Sequence, residues 1–529
     1  MPVATFLKRV LNRGSSDPED APAANNSRVM TPIAEEAEVA AEIRAAGPVV
    51  ALDDANQSNI YEVPSDFTET SSMDSSGKMP IEEDFQRTSD SEGVGEKDAV
   101  QDETMLESQV EQAIQVADPP LPRNAGFIRS FSNVVCIIIG TGCLQIPYAF
   151  AKTGWIGILI VVMSGFIGGY TGILTIRCLY YQGPTGHRLH SFPQIGRAAF
   201  GRWGQYATQF FNYLYSLGTT CLYIILSGQF IFQLVSTLGV TLSQKVWMVI
   251  VAIIMWLPVA ILKEMSEAAV MAIFGLLASI VVIIVATVMS IAKPYTVMYP
   301  DQPAPGHDIA IGVGVPVALS SIVFSFAGSV VYPHVEASMR KPKQWPMVIF
   351  AAMIFCAVCY LLIGVAGYWA YGDQVVSPVL DSIPTGAPAT VAKIMITAHV
   401  IIAAPIMLLS FYLEIEKQWQ ITPQRLGKKR EFTVRLIYRS VVVAIVCGVS
   451  LAIPYFSDFL SLISSIACVT MYAIIPVVCY LKLYGHRVAP WYEKIWMVFV
   501  LAVGSVACIW GSIDAIKNLI KDAQGAAAA

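Results

Sequence analysis

Phe131-Ser-Asn-Val-Val-Cys-Ile-Ile-Ile-Gly140-Thr-Gly-Cys-Leu-Gln-Ile-Pro147-Tyr-Ala-Phe-Ala-Lys-Thr-Gly-Trp155 is long enough to cross a bilayer, because roughly 20 apolar residues span the hydrocarbon core. Its centre holds Gly140, Gly142 and Pro147, where a plain anchor would carry Leu and Val. Inside a helix Gly costs about 1 kcal/mol and Pro about 3 kcal/mol. Backbone freed at membrane depth must find partners in protein, water or a ligand. Two readings follow. Gly and Pro are common in membrane helices, so the stretch fits a kinked packing helix. It equally fits a discontinuous helix of the kind that builds substrate sites in secondary transporters.

The rest of the chain places this stretch first among many. The 529 residues are 55% hydrophobic and only 14% charged, with a mean hydropathy of +0.57, which marks an all-α integral membrane protein. Residues 1–122 are different: acidic (Glu35, Glu36, Glu38, Asp53, Asp54, Glu82, Glu83, Asp84) and rich in Ser, Thr, Pro and Gly. Such a segment cannot bury enough apolar surface to fold and reads as a disordered tail. Thr5–Arg13 has the pattern of a short amphipathic helix, and its apolar run is too short and too interrupted for a signal peptide. Residues 123–520 form the membrane domain, and 521–529 read as a short C-terminal tail.

Apolar runs near 131–152, 154–179, 207–236, 245–262, 268–292, 311–335, 346–371, 388–414, 433–453, 457–482 and 492–516 give about eleven spans. If they alternate, one side receives 20 Lys and Arg residues and the other only six: Lys152, Lys245, Lys293, Lys393, Lys517 and Lys521. By the positive-inside bias the tail is then cytoplasmic and the C-terminus lumenal or extracellular. The ten cysteines fall in or beside the apolar runs, so no disulfide framework is implied.

In a chain built from inverted five-span halves, the sixth span should break like the first. The sixth run, Val313 to Glu336, has a small polar middle, Ser325-Phe-Ala-Gly-Ser329, with Pro333 one turn later. Two interruptions five spans apart favour a transporter over kinked packing helices. Half-helix N-termini suit a carboxylate, and unwound carbonyls suit an ammonium. The backbone at Gly140-Thr141-Gly142 and at Ser325-Phe326-Ala327-Gly328 is therefore the expected clamp for the common part of an amino acid. Valine at Gly140 or Gly328 should abolish uptake. Tyr215 and Tyr223 of the third span are candidates for the side-chain pocket. Intramembrane ionisable residues are functional candidates by default, and His titrates near physiological pH. The coupling candidates are His399, His334 and Glu336; Glu414, Glu416 and Asp514 read as interfacial.

These interruptions carry a resemblance. Asn133 with Gly140-x-Gly142-x-Leu144-x-x-Pro147-Tyr148-Ala149 and Gly154-Trp155 resembles the first span of the amino acid/auxin permease family. That family includes the vacuolar amino acid transporters of fungi and plants and the vesicular inhibitory amino acid transporter. Further similarities are Phe324-Ser-Phe-Ala-Gly328, Pro333 with Met339 and Pro342, Trp345-Pro346, Gly367-Tyr-x-x-Tyr371-Gly372, Pro405 with Glu414, and Pro476 with Tyr480 and Lys482. The resemblance covers about 124–516. It implies a five-plus-five inverted-repeat (LeuT-like) fold with broken helices one and six. Sodium-coupled members tend to carry Asn four residues before the first-span glycine and hydroxyls near the eighth-span proline. Here those positions look like Cys136, Ile401 and Ala403, poor ligands for a hard cation.

The expectation is a proton-coupled secondary transporter of small-molecule amino acids with no cofactor beyond the proton gradient. The tail resembles those of vacuolar members and points to a vacuolar or other endomembrane, with the plasma membrane as the other choice. Alternatives are an amino acid-sensing receptor with little flux and a sodium-coupled plasma-membrane importer. The tail could engage cytosolic regulators. The lipid bilayer is the remaining partner, and no nucleic acid is expected. An enzyme is not expected either: Ala370-Tyr-Gly-Asp373 only grazes an intramembrane aspartyl protease pattern.

Overall fold

A computed structural model describes residues 123–181, 188–261, 268–421, 423–485 and 489–528. The readings of the acidic tail and of Thr5–Arg13 lie outside these residues. Among the described residues eight helices are long and apolar enough to cross a membrane, and three shorter apolar helices accompany them. Two of the short ones, Phe127–Ile138 and Val315–Phe326, are halves of interrupted spans. Span one is α1 (Phe127–Ile138) and α2 (Ile146–Thr153), and span two is α3 (Gly157–Leu179). Spans three to five are α4 (Phe192–Ser236), α5 (Gln244–Ile261) and α6 (Ala268–Ala292), with a single turn α7 (Tyr295–Met298) following. Span six is α8 (Val315–Phe326) and α9 (Tyr332–Ala337). Then come α10 (Trp345–Tyr371), α11 (Ala387–Gln418), a connecting turn α12 (Pro423–Leu426) and α13 (Lys428–Ala452). Span ten is α14 (Phe456–Ile463) and α15 (Ile475–Tyr484), joined by wide π-type turns over Ser464–Cys468 and Thr470–Ile474; α16 (Trp491–Ala528) is span eleven.

The eleven spans expected from hydropathy are therefore present, and the two interruptions fall in spans one and six. Three differences have local causes. Span three begins early, at Phe192, and kinks where Phe200 leaves helical geometry and Gly201 takes φ 64°. Span eleven continues through the residues read as a short tail, where Ala526, Ala527 and Ala528 are strong helix formers. The wide turns of span ten leave no mark in a hydropathy pattern.

Spans one and six pack crosswise: α1 lies against α9, and α2 against α8. Their ends are tied in the same sense. Thr153, Trp155 and Ile156, at the end of α2, bond to the backbone leading into α8 (Trp155 N–H to Asp308 O 3.1 Å; Ile311 N–H to Thr153 O 2.8 Å). The chain ahead of α1 is bonded to the chain beyond α9 through Ala125 and Met339. Exchanging the two spans reproduces the pattern, which is what inverted halves require. Span one thus begins, and span six ends, at one end of the molecule, the near end.

Candidate functional site

In span one the helical ladder runs out at Ile139, whose N–H reaches Val135 O at 2.8 Å. Gly140 is extended (φ −138°, ψ −147°), Thr141–Gln145 wind as a tight 3-10 turn, and α2 restarts with Pro147 in its first turn. Span six does the same: Ala327 N–H closes on Phe324 O at 3.0 Å, Gly328 departs from the helix, and α9 restarts with Pro333 in its first turn. Proline belongs there because its missing N–H is one that a helix start cannot use. Each interruption thus presents carbonyls of an ending helix beside N–H groups of a starting one, with partial charges of both signs.

The two interruptions touch. A Cβ on Gly142 would lie 2.6 Å from Ser325 Cα, so only glycine lets the backbones of spans one and six meet there. The other glycines of the clamp are less confined. A Cβ on Gly328 would meet Ile137, Ile138 and Tyr332 at 3.1–3.3 Å, and one on Gly140 would find nothing nearer than His399 Nε2 at 3.9 Å. Gly142, more than Gly140 or Gly328, is therefore the position where valine cannot be accommodated. Thr141 is 2% exposed, and its hydroxyl has no hydrogen-bond partner among the described residues. A buried hydroxyl without a partner is unfavourable unless something else supplies one. Thr141, Ser325, Phe326 and Ala327 are all buried around this contact.

One neighbour of the interruption escaped the sequence reading. Gln145 is fully buried and donates to Ser457 Oγ of span ten at 2.9 Å, while Ser377 donates to its Oε1. Its signal was an amide at membrane depth, which must find partners.

The coupling candidates separate. His399, on α11, is buried, and its Nδ1 would lie 2.4 Å from a Cβ on Gly275 of α6 while its Nε2 faces Gly140. It is the ionisable candidate that reaches the interruption. His334 is exposed at the near end of α9 and does not share the site. Glu336 is fully buried and already engaged: Arg188 pairs with its Oε2, and Tyr180 donates to its Oε1 at 2.5 Å. Burial, then the bond to Glu336, pushes the Tyr180 hydroxyl up to about 12, so it stays a donor at neutral pH. Arg188 also reaches Pro333 O at 3.3 Å. Glu336 thus fastens the near end of span six to the connection between spans two and three. Of the residues read as interfacial, Glu416 is instead buried, against Arg439 of α13 (Nε to Oε1 2.8 Å), which also donates to Val259 O at 2.6 Å. Arg439 is one of the 20 Lys and Arg residues that the hydropathy pattern puts on the side of the tail, but it is fully buried and requires an internal partner. At the opposite end Asp381 accepts from Lys393 (3.0 Å) and Gln229 (2.7 Å).

Tyr223 is buried and Tyr215 partly buried within the main core of the bundle. The Tyr332 hydroxyl, like that of Thr141, has no partner among the described residues.

The chain is similar to known proteins over this same region. A sequence model of the family described as transmembrane amino acid transporter protein matches residues 123–517. Among curated relatives, amino acid transporter AVT1C of Arabidopsis thaliana is 26% identical over 412 residues, covering 76% of this chain and 71% of the relative. Amino acid transporter AVT1D of Arabidopsis thaliana is 28% identical over 435 residues, covering 79% and 75%. Among solved structures, Mhp1 in an inward facing conformation aligns with a TM-score of 0.47 at 12% identity, over 77% of this chain and 94% of that one.

Proposed function

Because the chain belongs to the transmembrane amino acid transporter protein family, we propose that it is a proton-coupled amino acid carrier of an internal, acidic membrane whose substrate backbone is held at the two interruptions. The observation that carries the site is the Gly142–Ser325 contact, which brings both pairs of helix ends together at one place. The substrate carboxylate faces the N–H groups that begin at Thr141 and Ser329, and the ammonium faces the carbonyls that end α1 and α8. The unpartnered Thr141 hydroxyl supports this placement.

Proton coupling is assigned to His399. It is buried, it stands on span eight with its ring between Gly275 of span five and the Gly140 interruption, and neutral imidazole can take a proton that moves with or against substrate. The near end is cytoplasmic by its excess of Lys and Arg. Alternating access rocks spans one and six against the rest around the fixed site. In that cycle the Glu336–Arg188 pair is a near-end latch, and it must open for substrate to pass. The names of the AVT1 relatives support an amino acid as cargo.

The test is reconstitution into proteoliposomes with an imposed pH gradient, choline in place of sodium, and labelled neutral, basic and acidic amino acids. Accumulation that collapses with a protonophore is expected. A strict sodium requirement would overturn proton coupling, and binding without accumulation would identify a receptor.

A further inference from the structure

We infer that Tyr360 is a positioning residue of the substrate site: its single hydroxyl braces the carbonyl ends of both broken helices and leaves them one donor short. The substrate ammonium supplies the missing donor. The inference rests on the transporter reading above.

Tyr360 lies near the middle of α10, the span that packs along both halves of span one, and its side chain is 0% exposed. Its ring is fixed edge-to-face against Phe326, with centroids 5.0 Å apart. From there its hydroxyl oxygen sits 2.9 Å from Ile138 O and 2.5 Å from Ser325 O. These carbonyls belong to the last turns of α1 and α8, where a helix has no further N–H to offer. One side chain therefore touches the free ends of both interrupted spans.

The donor count is what makes this a ligand site. A phenol carries one hydrogen, while each carbonyl has lone pairs for two. The hydroxyl can satisfy Ile138 O or Ser325 O at a given moment, and the other carbonyl then faces only oxygen. Ser325 offers no relief, because its own hydroxyl is turned back to Ser321 O at 3.2 Å. Both carbonyls also carry the negative ends of their half-helices, so the missing donor is best a cation. An ammonium has a positive charge and three hydrogens, and charge-assisted bonds of this kind are the strong ones. Tyr360 sets the spacing of the two carbonyls that receive it.

Tyr360→Phe keeps the ring and removes the hydroxyl alone. In proteoliposomes given a uniformly labelled mixture of proteinogenic L-amino acids, KM is expected to rise about ten-fold, as for loss of a bond serving a charged group. Vmax per folded molecule is expected to stay within about two-fold of the unmodified protein. An unchanged KM overturns the inference. So does a loss confined to Vmax, the sign of a purely structural tyrosine. The matching 2-hydroxy acids, which keep carboxylate and side chain but lack the ammonium, are expected to compete equally in both proteins; weakening in step with the amino acids contradicts the assignment. If Tyr360→Phe fails to fold, 3-fluorotyrosine at 360 keeps the shape and alters the donor, and an unmoved KM is again fatal. Gly142→Ala is measured alongside. If it abolishes uptake while Tyr360→Phe is neutral, only the role of Tyr360 falls; if both are neutral, the clamp itself does.

Discussion

Ala125 and Met339 form a parallel bridge that ties the start of span one to the end of span six. Ala125 donates to Ser338 O and accepts from Arg340 N–H, both at 2.9 Å. At the opposite end, the exit of span one holds the approach to span six through Trp155 and Asp308. Spans 214 residues apart at this bridge are thus bound at both ends and should move as one body. Paired backbones lie about 4.8 Å apart, within the roughly 4.4–6.8 Å that a disulfide accommodates. Ala125→Cys with Met339→Cys, oxidised, is expected to keep at least half of the reduced protein's uptake. Uptake that vanishes on oxidation and returns with reductant would show that the two ends separate during the cycle.

The latch behaves differently, because it joins the moving spans to their surroundings. Arg188→Glu and Glu336→Arg should each cut uptake about ten-fold or more, since each leaves a buried charge without its partner. The double exchange should recover a large part of the loss. Equal damage in the single and double variants, compared at matched amounts of folded protein, would remove the ion pair from the transport cycle.

His399→Gln separates coupling from binding. The variant is expected to lose accumulation driven by a pH gradient yet to exchange labelled for unlabelled amino acid across the membrane, since exchange needs no net proton movement. Retained pH-driven accumulation would assign the proton elsewhere.

Stability is expected to depend on Arg439, which ties spans four, eight and nine together through Val259, Glu416 and its own backbone contact with Tyr412. Arg439→Met strands the Glu416 carboxylate and should destabilise by about 3–5 kcal/mol, seen as a lower unfolding temperature in detergent. Adding Glu416→Leu should restore much of it. A thermally neutral Arg439→Met would mean that water reaches Glu416.

The sequence revealed the fold through local signals. Gly140, Gly142, Pro147 and Pro333 break the helical pattern within a few residues of where the spans in fact unwind, and hydropathy marks the span count. Site membership was less legible, because it depends on contacts between distant segments. Gly140 and Gly142 look alike in sequence, but only Gly142 abuts Ser325. Glu336 looked free to titrate, and its partner Arg188 stands 148 positions away. Tyr360 offered only the hint that a hydroxyl in an apolar span needs a partner; the carbonyls it meets belong to two other spans.

The contact between spans one and six at Gly142 is the point on which substrate binding turns. Gly142→Ala places a methyl group 2.6 Å from Ser325 Cα, whereas Gly448→Ala, on span nine, meets nothing within 4 Å. Uptake of labelled amino acids by the two purified, monodisperse variants is the direct comparison. Gly448→Ala should match the unmodified protein and Gly142→Ala should show no saturable uptake. Wild-type KM and rate in Gly142→Ala would contradict a site built from the two unwound backbones.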